Sequence, residues 1–227
     1  MISLGIVIPC YNESESLAKL IDKLSETNSS DVKYLILDNG STDETHKVLG
    51  TIELPLNVST HRIEHNQGYG FGVTTGLKIL ETDYVGWTHA DLQTDPRDVL
   101  LFLDDISDGA KFLKGLRFGR PISDRFFTAG MSIFVSFLFQ KVVRDINAQP
   151  TIISREVFEC WQNPPNDFSL DLFAYIESMK LGHEVKRRRV NFGKRQYGKS
   201  HWNRGIKSRL KFIRRTLFMA LNLRFNR

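Results

Sequence analysis

Cysteine is scarce: the chain has two, Cys10 and Cys160, set far apart and forming no C-x-x-C pair. That argues against a disulfide scaffold and a thiolate zinc site, and it points to a reducing, cytoplasmic setting. Long apolar runs are also missing. The longest charge-free stretch, Phe126–Gln140, has 15 residues, short of the roughly 20 that a membrane-spanning helix needs. The apolar amino end, Met1–Pro9, has no basic flank and reads as a first strand rather than a signal peptide. Repeats, low-complexity tracts and Pro/Gly/Ser linkers are absent as well, so one main domain over 1–200 is expected, followed by a basic helix over 201–227. A hydrophobic share of 41% against 25% charged residues excludes a disordered chain.

Acidic residues all but vanish from one region. Gly182–Arg227 holds 15 Lys/Arg and a single acid, Glu184, for a net +14, which leaves −9 on the rest of the chain. A basic tail on an acidic body implies a polyanionic partner, nucleic acid or an anionic membrane surface. Lys186 and Arg187–Arg189 lie in a predicted strand, whose alternation sends them to opposite faces. No single basic stripe results, which argues against nucleic acid.

What is present is an alternation of strand and helix signals. Leu4–Ile8 is a continuous apolar run, and Leu17, Leu20, Ile21 and Leu24 follow at helical spacing. Tyr34–Leu37, Tyr84–Thr88 and Lys111–Leu116 read as further strands, with Pro96–Ile106 helical between the last two. Asn12 with Glu15, and Ser41 with Glu44, have the spacing of capping boxes. Such β-then-α units predict an α/β fold, a mainly parallel sheet with helices on both faces. Ligands of such sheets bind beyond the carboxyl ends of the strands. Gly68, Gly70, Gly72 and Gly76 mimic a dinucleotide fingerprint, but they follow the third strand instead of the first. At the carboxyl end, Trp202, Ile206, Leu210, Ile213, Leu217 and Leu221 share a helical face, with Lys and Arg crowding the remainder. That is the pattern of an interfacial amphipathic helix, and the segment at about 122–142 is its expected apolar companion.

Three polar clusters each follow a strand: Pro9-Cys10-Tyr11-Asn12-Glu13, Asp38-Asn39-Gly40-Ser41-Thr42-Asp43 and His89-Ala90-Asp91-Leu92-Gln93. In this order they resemble the family 2 glycosyltransferases, with their I-P-x-Y-N-E, D-x-S-x-D and D-x-D-type motifs. Asn66-Gln67-Gly68-Tyr69-Gly70 resembles the family's N-x-G-x-G segment, and Lys114–Arg120 its G-x-R segment. Arg195-Gln196-Tyr197-Gly198-Lys199-Ser200-His201 is similar to the R-x-x-G-x-S segment of polyprenyl-phosphate and dolichol-phosphate sugar transferases. The resemblance implies a GT-A fold over 1–200 and inverting transfer of a hexose-type sugar from a UDP- or GDP-sugar to polyprenyl phosphate at the cytosolic membrane face. A sugar-hydroxyl acceptor in cell-surface polysaccharide or lipopolysaccharide synthesis is the second expectation, and a non-catalytic nucleotide-sugar binder the third. A homo-oligomer is compatible with all three.

Chemistry assigns roles within that frame. The donor is expected across Pro9, Tyr11, Asn12, Glu13, Asp38, Ser41, Asp43, Asn66, Gly68, Ala90 and Asp91, whose rings and carboxylates suit a base, a ribose and a diphosphate. Asp91, Gln93 and His89 are the metal candidates, for Mn²⁺ or Mg²⁺. Arg117, Arg125, Arg195, Lys199, Ser200 and His201 are the candidates for an acceptor-phosphate cage. A phosphate acceptor is already anionic, with a second pKa of about 6, whereas a hydroxyl acceptor needs a base. Asp171, with Asp167 four residues before it, is the candidate for that role, giving Asp91, Arg117, Arg195 and Asp171 as the expected catalytic set. His89 stands where the family pattern has Asp, which removes a negative charge from the metal site. Mn²⁺ is therefore expected to support a higher rate than Mg²⁺; comparing the two metals checks this, and a preference for Mg²⁺ would count against a ligating His89.

Overall fold

The protein's structure, a computed structural model, describes residues 2–27, 29–119, 122–193, 195 and 206–225, with the side chains of 122–127 and 206–212 outside that description. Seven strands form one sheet: β1 (Leu4–Cys10), β2 (Val32–Asn39), β3 (Val58–Ile63), β4 (Tyr84–Trp87), β5 (Phe112–Phe118), β6 (Thr151–Ser154) and β7 (Val185–Asn191). Their order is β3-β2-β1-β4-β6-β5-β7. All neighbours run parallel except β6, which is antiparallel to both β4 and β5.

The helices are α1 (Leu17–Ser25), α2 (Thr45–Thr51), α3 (Tyr69–Ile79), α4 (Leu103–Ser107) preceded by a 3₁₀ turn Pro96–Phe102, α5 (Ile122–Phe139), α6 (Arg155–Glu159), α7 (Leu170–Lys180) and α8 (Ile206–Phe225). They cover both faces, as the alternation of apolar runs predicts. Strand β1 is almost wholly buried because it lies between two layers, so it carries apolar residues at successive positions. Its Ile6 and Ile8 join α1 and the 3₁₀ turn in one core cluster. Val7 points the other way, into the cluster with α3 and α7.

The two expected capping boxes do not form. Helix α1 begins after Ser16 and α2 after Glu44, neither with a side-chain cap. Asn12 and Ser41 instead spend their side chains on bonds between loops, described below.

Helix α8 packs against α5 and α7. The residues it buries are Thr216, Ala220 and Leu223, while Leu221 is 42% exposed. The expected stripe through Leu217 and Leu221 is thus rotated. A helix wedged between two others selects small side chains for close approach, and apolar periodicity alone does not report this. Arg224 Nε donates to the Leu138 carbonyl at 3.2 Å and Arg215 lies 3.4 Å from Asp167, which fixes the docking. Trp202 lies outside the described residues. No helix among the described residues is long and apolar enough to cross a membrane.

Helix α3 lies close on the sheet because of Gly76, where a Cβ would stand 2.6 and 2.7 Å from the two Val7 methyls. Gly76→Ala is expected to cost about 1–3 kcal/mol by overpacking. Gly50→Ala, on α2 in open space, should be neutral or stabilising by up to about 1 kcal/mol. Urea denaturation of both variants checks the pair.

Candidate active site

The loops after β1, β2 and β4 meet at the carboxyl edge of the sheet. Asn12 takes a left-handed conformation, φ 57°, which turns the chain out of β1 and aims its amide at the next loop. Its Oδ1 accepts from the Thr42 amide at 2.8 Å and the Asp43 amide at 3.3 Å, while its own amide donates to Ser41 Oγ at 3.0 Å. Asp43 accepts from the Thr45 amide at 3.0 Å and the Ser14 hydroxyl at 2.8 Å. Burial raises the Asp43 pKa, but these bonds outweigh it and leave the carboxyl below its ordinary value. Asp38 is buried, with Oδ1 accepting from the Ser41 amide at 2.9 Å and Oδ2 3.9 Å from Arg62 Nε. Asn12, Ser41 and Asp43 therefore hold the two loops together.

Asn66 and Gly68 form a turn between β3 and α3, packed against the loop after β2 and the segment before α7. Asn66 Oδ1 accepts from the Gly68 amide at 2.9 Å, and Gly68 has φ 111° with the Asn166 carbonyl 2.2 Å from where a Cβ would be. Only glycine fits there. Its carbonyl accepts from Asn39 Nδ2 at 3.0 Å.

The charged centre lies between these loops. The Arg195 guanidinium bonds Glu13 with one arm and reaches Asp91 Oδ2 at 3.4 Å with the other. Burial raises the Glu13 pKa, and Arg195 opposes the rise without cancelling it. Asp91 Oδ1 accepts from the Gln93 amide at 3.1 Å. Gln93 is tied to the loop that carries Arg195: its carbonyl accepts from the Gly193 amide at 2.7 Å and its Nε2 donates to the Gly193 carbonyl at 3.2 Å. His89 is half-buried on the same loop as Asp91, Ala90 is buried, and Pro9 and Tyr11 are half-buried at the end of β1.

No group of three His, Cys, Asp or Glu able to hold a metal occurs among the described residues. The protein offers one carboxylate, Asp91, with His89 and Gln93 near it in sequence. This sparse set fits a hard cation that takes most of its ligands from a diphosphate and water. Glu13, the other carboxylate of the centre, is paired with Arg195.

Arg117 and Asp171 stand apart from that centre. The Arg117 amide and Nε each donate to Asp145 at 3.0 Å, and its guanidinium lies 5.2 Å from the Phe192 ring. Asp171, in the first turn of α7, is buried; its Oδ1 accepts from Gln149 Nε2 at 2.7 Å and lies 3.5 Å from Lys114 Nζ. Asp167 precedes the helix, where Oδ1 accepts from the Ser169 amide at 2.9 Å. The Arg125 side chain and all of Lys199, Ser200 and His201 lie outside the described residues.

Sequence reasoning missed Lys114. It is fully buried on β5, donates to Thr151 Oγ1 and faces Asp171. Burial pushes its pKa down to about 8 against the pull of Asp171. The available signal was a lone cation inside an apolar strand run, which demands a buried partner.

Residues 5–161 match the model of glycosyl transferase family 2. The chain is 25% identical, over 142 residues, to the undecaprenyl-phosphate 4-deoxy-4-formamido-L-arabinose transferase of Salmonella choleraesuis, covering 60% of this chain and 43% of that protein. It is 27% identical to the UDP-N-acetylglucosamine–dolichyl-phosphate N-acetylglucosaminyltransferase of Methanococcus voltae, covering 51% of this chain and 52% of that one. The chain thus spans about half the length of the curated relatives it matches. Among solved structures, glucosyl-3-phosphoglycerate synthase of Mycobacterium tuberculosis, in complex with Mn²⁺, UDP and glucosyl-3-phosphoglycerate, superposes with a TM-score of 0.70 at 17% identity, covering 98% of this chain and 80% of that one. A mannosyltransferase of Pyrobaculum calidifontis, in complex with GDP-Man and Mn²⁺, gives 0.69 at 15%, covering 97% and 64%. The fold is of the GT-A type.

The Lys114–Asp171 pair has a measurable signature. Lys114→Met alone strands a buried carboxylate and should cost about 3–5 kcal/mol. Adding Asp171→Asn, which keeps an acceptor for Gln149, should restore most of it. Denaturation midpoints of the single and double variants check the coupling.

Proposed function

The chain belongs to glycosyl transferase family 2, and on that premise we propose that it moves a hexose-type sugar from a nucleotide-sugar to a polyprenyl phosphate, with inversion, at a membrane surface. The observation that carries the reading is the meeting of Glu13, Asp91 and Arg195 at the carboxyl edge of the sheet. Carboxylates there suit a metal-bound diphosphate, and a guanidinium beside them suits an anionic acceptor. UDP and GDP in the two solved structures above support a nucleoside-diphosphate donor, and Mn²⁺ in both supports a divalent cation.

In this reading the base and ribose lie against Tyr11 and Asp38, and Pro9, Asn12, Ser41, Asp43, Asn66, Gly68 and Ala90 shape the walls around them. A divalent cation held by Asp91, with Gln93 and His89, supplies charge compensation for the departing diphosphate. Arg195 binds the acceptor phosphate, with Lys199, Ser200, His201 and Arg125 completing the cage. Arg117 contributes from the end of β5 by holding the neck of the chain segment on the acceptor side through Asp145.

The surroundings of Asp171 support a phosphate acceptor. A hydroxyl acceptor needs a free carboxylate to take its proton, but Asp171 already receives Gln149 and faces Lys114. A phosphate oxygen is anionic near neutral pH and needs only cations to orient it. The relatives' acceptors, undecaprenyl and dolichyl phosphate, agree with this choice. Apolar side chains exposed on α5 (Ile133, Phe137) and α8 (Phe218, Leu221, Phe225), together with the exposed Arg214 and Arg215, suit contact with an anionic membrane surface.

Purified protein with Mn²⁺, a panel of UDP- and GDP-sugars and a short-chain polyprenyl phosphate tests the proposal. Metal-dependent transfer from one donor to the lipid phosphate is expected, with Asp91→Asn lowering the rate by about a hundredfold or more. Transfer to a sugar hydroxyl instead would move the reaction onto Asp171, and no turnover or binding of any nucleotide-sugar would overturn it.

A further inference from the structure

Arg195 is held from two directions that differ in kind. Glu13 belongs to the joined loops after β1 and β2: its amide donates to Thr45 Oγ1 at 3.0 Å, and its Oε2 lies 3.4 Å from Ser16 Oγ. Asp91 belongs to the metal loop and offers Arg195 a longer contact, 3.4 Å. All three side chains are mostly covered, at 17%, 11% and 14% exposure for Arg195, Glu13 and Asp91. Two residues before Arg195, Gly193 is strapped to Gln93 by bonds in both directions, which ties the approach to Arg195 to the loop of Asp91. A divalent cation on Asp91 would lie beside the guanidinium that faces Oδ2 at 3.4 Å, and like charges at such range repel strongly in a partly buried site.

We infer that Glu13 is the positioning residue of Arg195, and that the metal-bound donor displaces Arg195 from Asp91 but leaves it anchored on Glu13. The inference rests on the donor and metal reading above. Arg195 faces Asp91 as a counter-charge until the donor arrives, and exchange then breaks that contact. Because Glu13 keeps its hold and Gly193 stays on Gln93, the guanidinium remains near the diphosphate, where an incoming acceptor phosphate requires a cation. Glu13 thus acts on the acceptor through Arg195.

Mn²⁺ titration of the full chain without nucleotide, followed by the electron paramagnetic resonance signal of free Mn²⁺, tests the exchange. Arg195→Met should bind Mn²⁺ roughly five- to tenfold more tightly than the unmodified chain, the scale of coupling between contacting charges. Arg188→Met, which removes an equal charge from the remote pair with Asp105, should change the affinity less than twofold. Equal or weaker Mn²⁺ binding by Arg195→Met overturns the inference and leaves the proposed function standing, whereas absence of Mn²⁺ binding by the unmodified chain and every variant, with nucleotide present, overturns both. Steady-state kinetics test the anchoring: Glu13→Gln and Arg195→Met should each raise the acceptor KM more than the donor KM, and the double variant should be no worse than Arg195→Met alone. Additive losses would mean that Glu13 acts independently of Arg195.

Discussion

The loop that leaves β1 is joined to the loop that leaves β2 chiefly through the side-chain amide of Asn12. That side chain reaches the Thr42 and Asp43 amides of the next loop, and the left-handed backbone at Asn12 is what allows the reach. Asparagine tolerates this conformation better than most residues and supplies the acceptor the two amides need. With the two loops joined, Glu13 and Asp38 occupy fixed places, and the guanidinium of Arg195 has a firm partner. The Glu13 amide on Thr45 and the Ser14 hydroxyl on Asp43 reinforce the same join.

Most of the fold was legible in the residues because a strand buried on both faces must be apolar throughout. Leu4–Ile8, Tyr34–Leu37 and Tyr84–Thr88 all satisfy this, and each became a strand of the sheet. The polar clusters were legible for the complementary reason: each sits where such a strand ends, and polarity at the carboxyl edge has no role in the core. The helix starts were misread because Asn12 and Ser41 carry the right chemistry for a cap but use it across loops, a choice made by tertiary proximity. The buried face of α8 was misread because Thr216 and Ala220 are selected by the space between α5 and α7, and neither is strongly apolar.

Lys114 illustrates a different limit. Its strand was expected, and its partner Asp171 was singled out for its own sake, yet nothing in their spacing pairs them. They meet because β6 brings Thr151, and the segment before it brings Gln149, to the same place. A cation and a carboxylate, each poorly tolerated inside the protein alone, become tolerable together. The charges are thereby divided: Lys114 and Asp171 form one fully buried pair, while Glu13, Asp91 and Arg195 form a second group that keeps a small exposure.

The antiparallel course of β6 separates this sheet into two economies of chain. Between β5 and β6 the backbone leaves and re-enters at the same edge, so residues 119–150, with α5 among them, form an overgrown hairpin loop. Arg117 at the end of β5 and Asp145 just before β6 clasp its neck. A loop closed at its neck can lengthen, shorten or change its apolar surface without moving any strand, since loop length enters stability only weakly. The crossovers among β1, β2, β3 and β4 have no such freedom, because each must span the sheet and cover it. Changes of length or surface in this half of the sheet thus leave the strands in place, while changes in the crossovers would uncover the core.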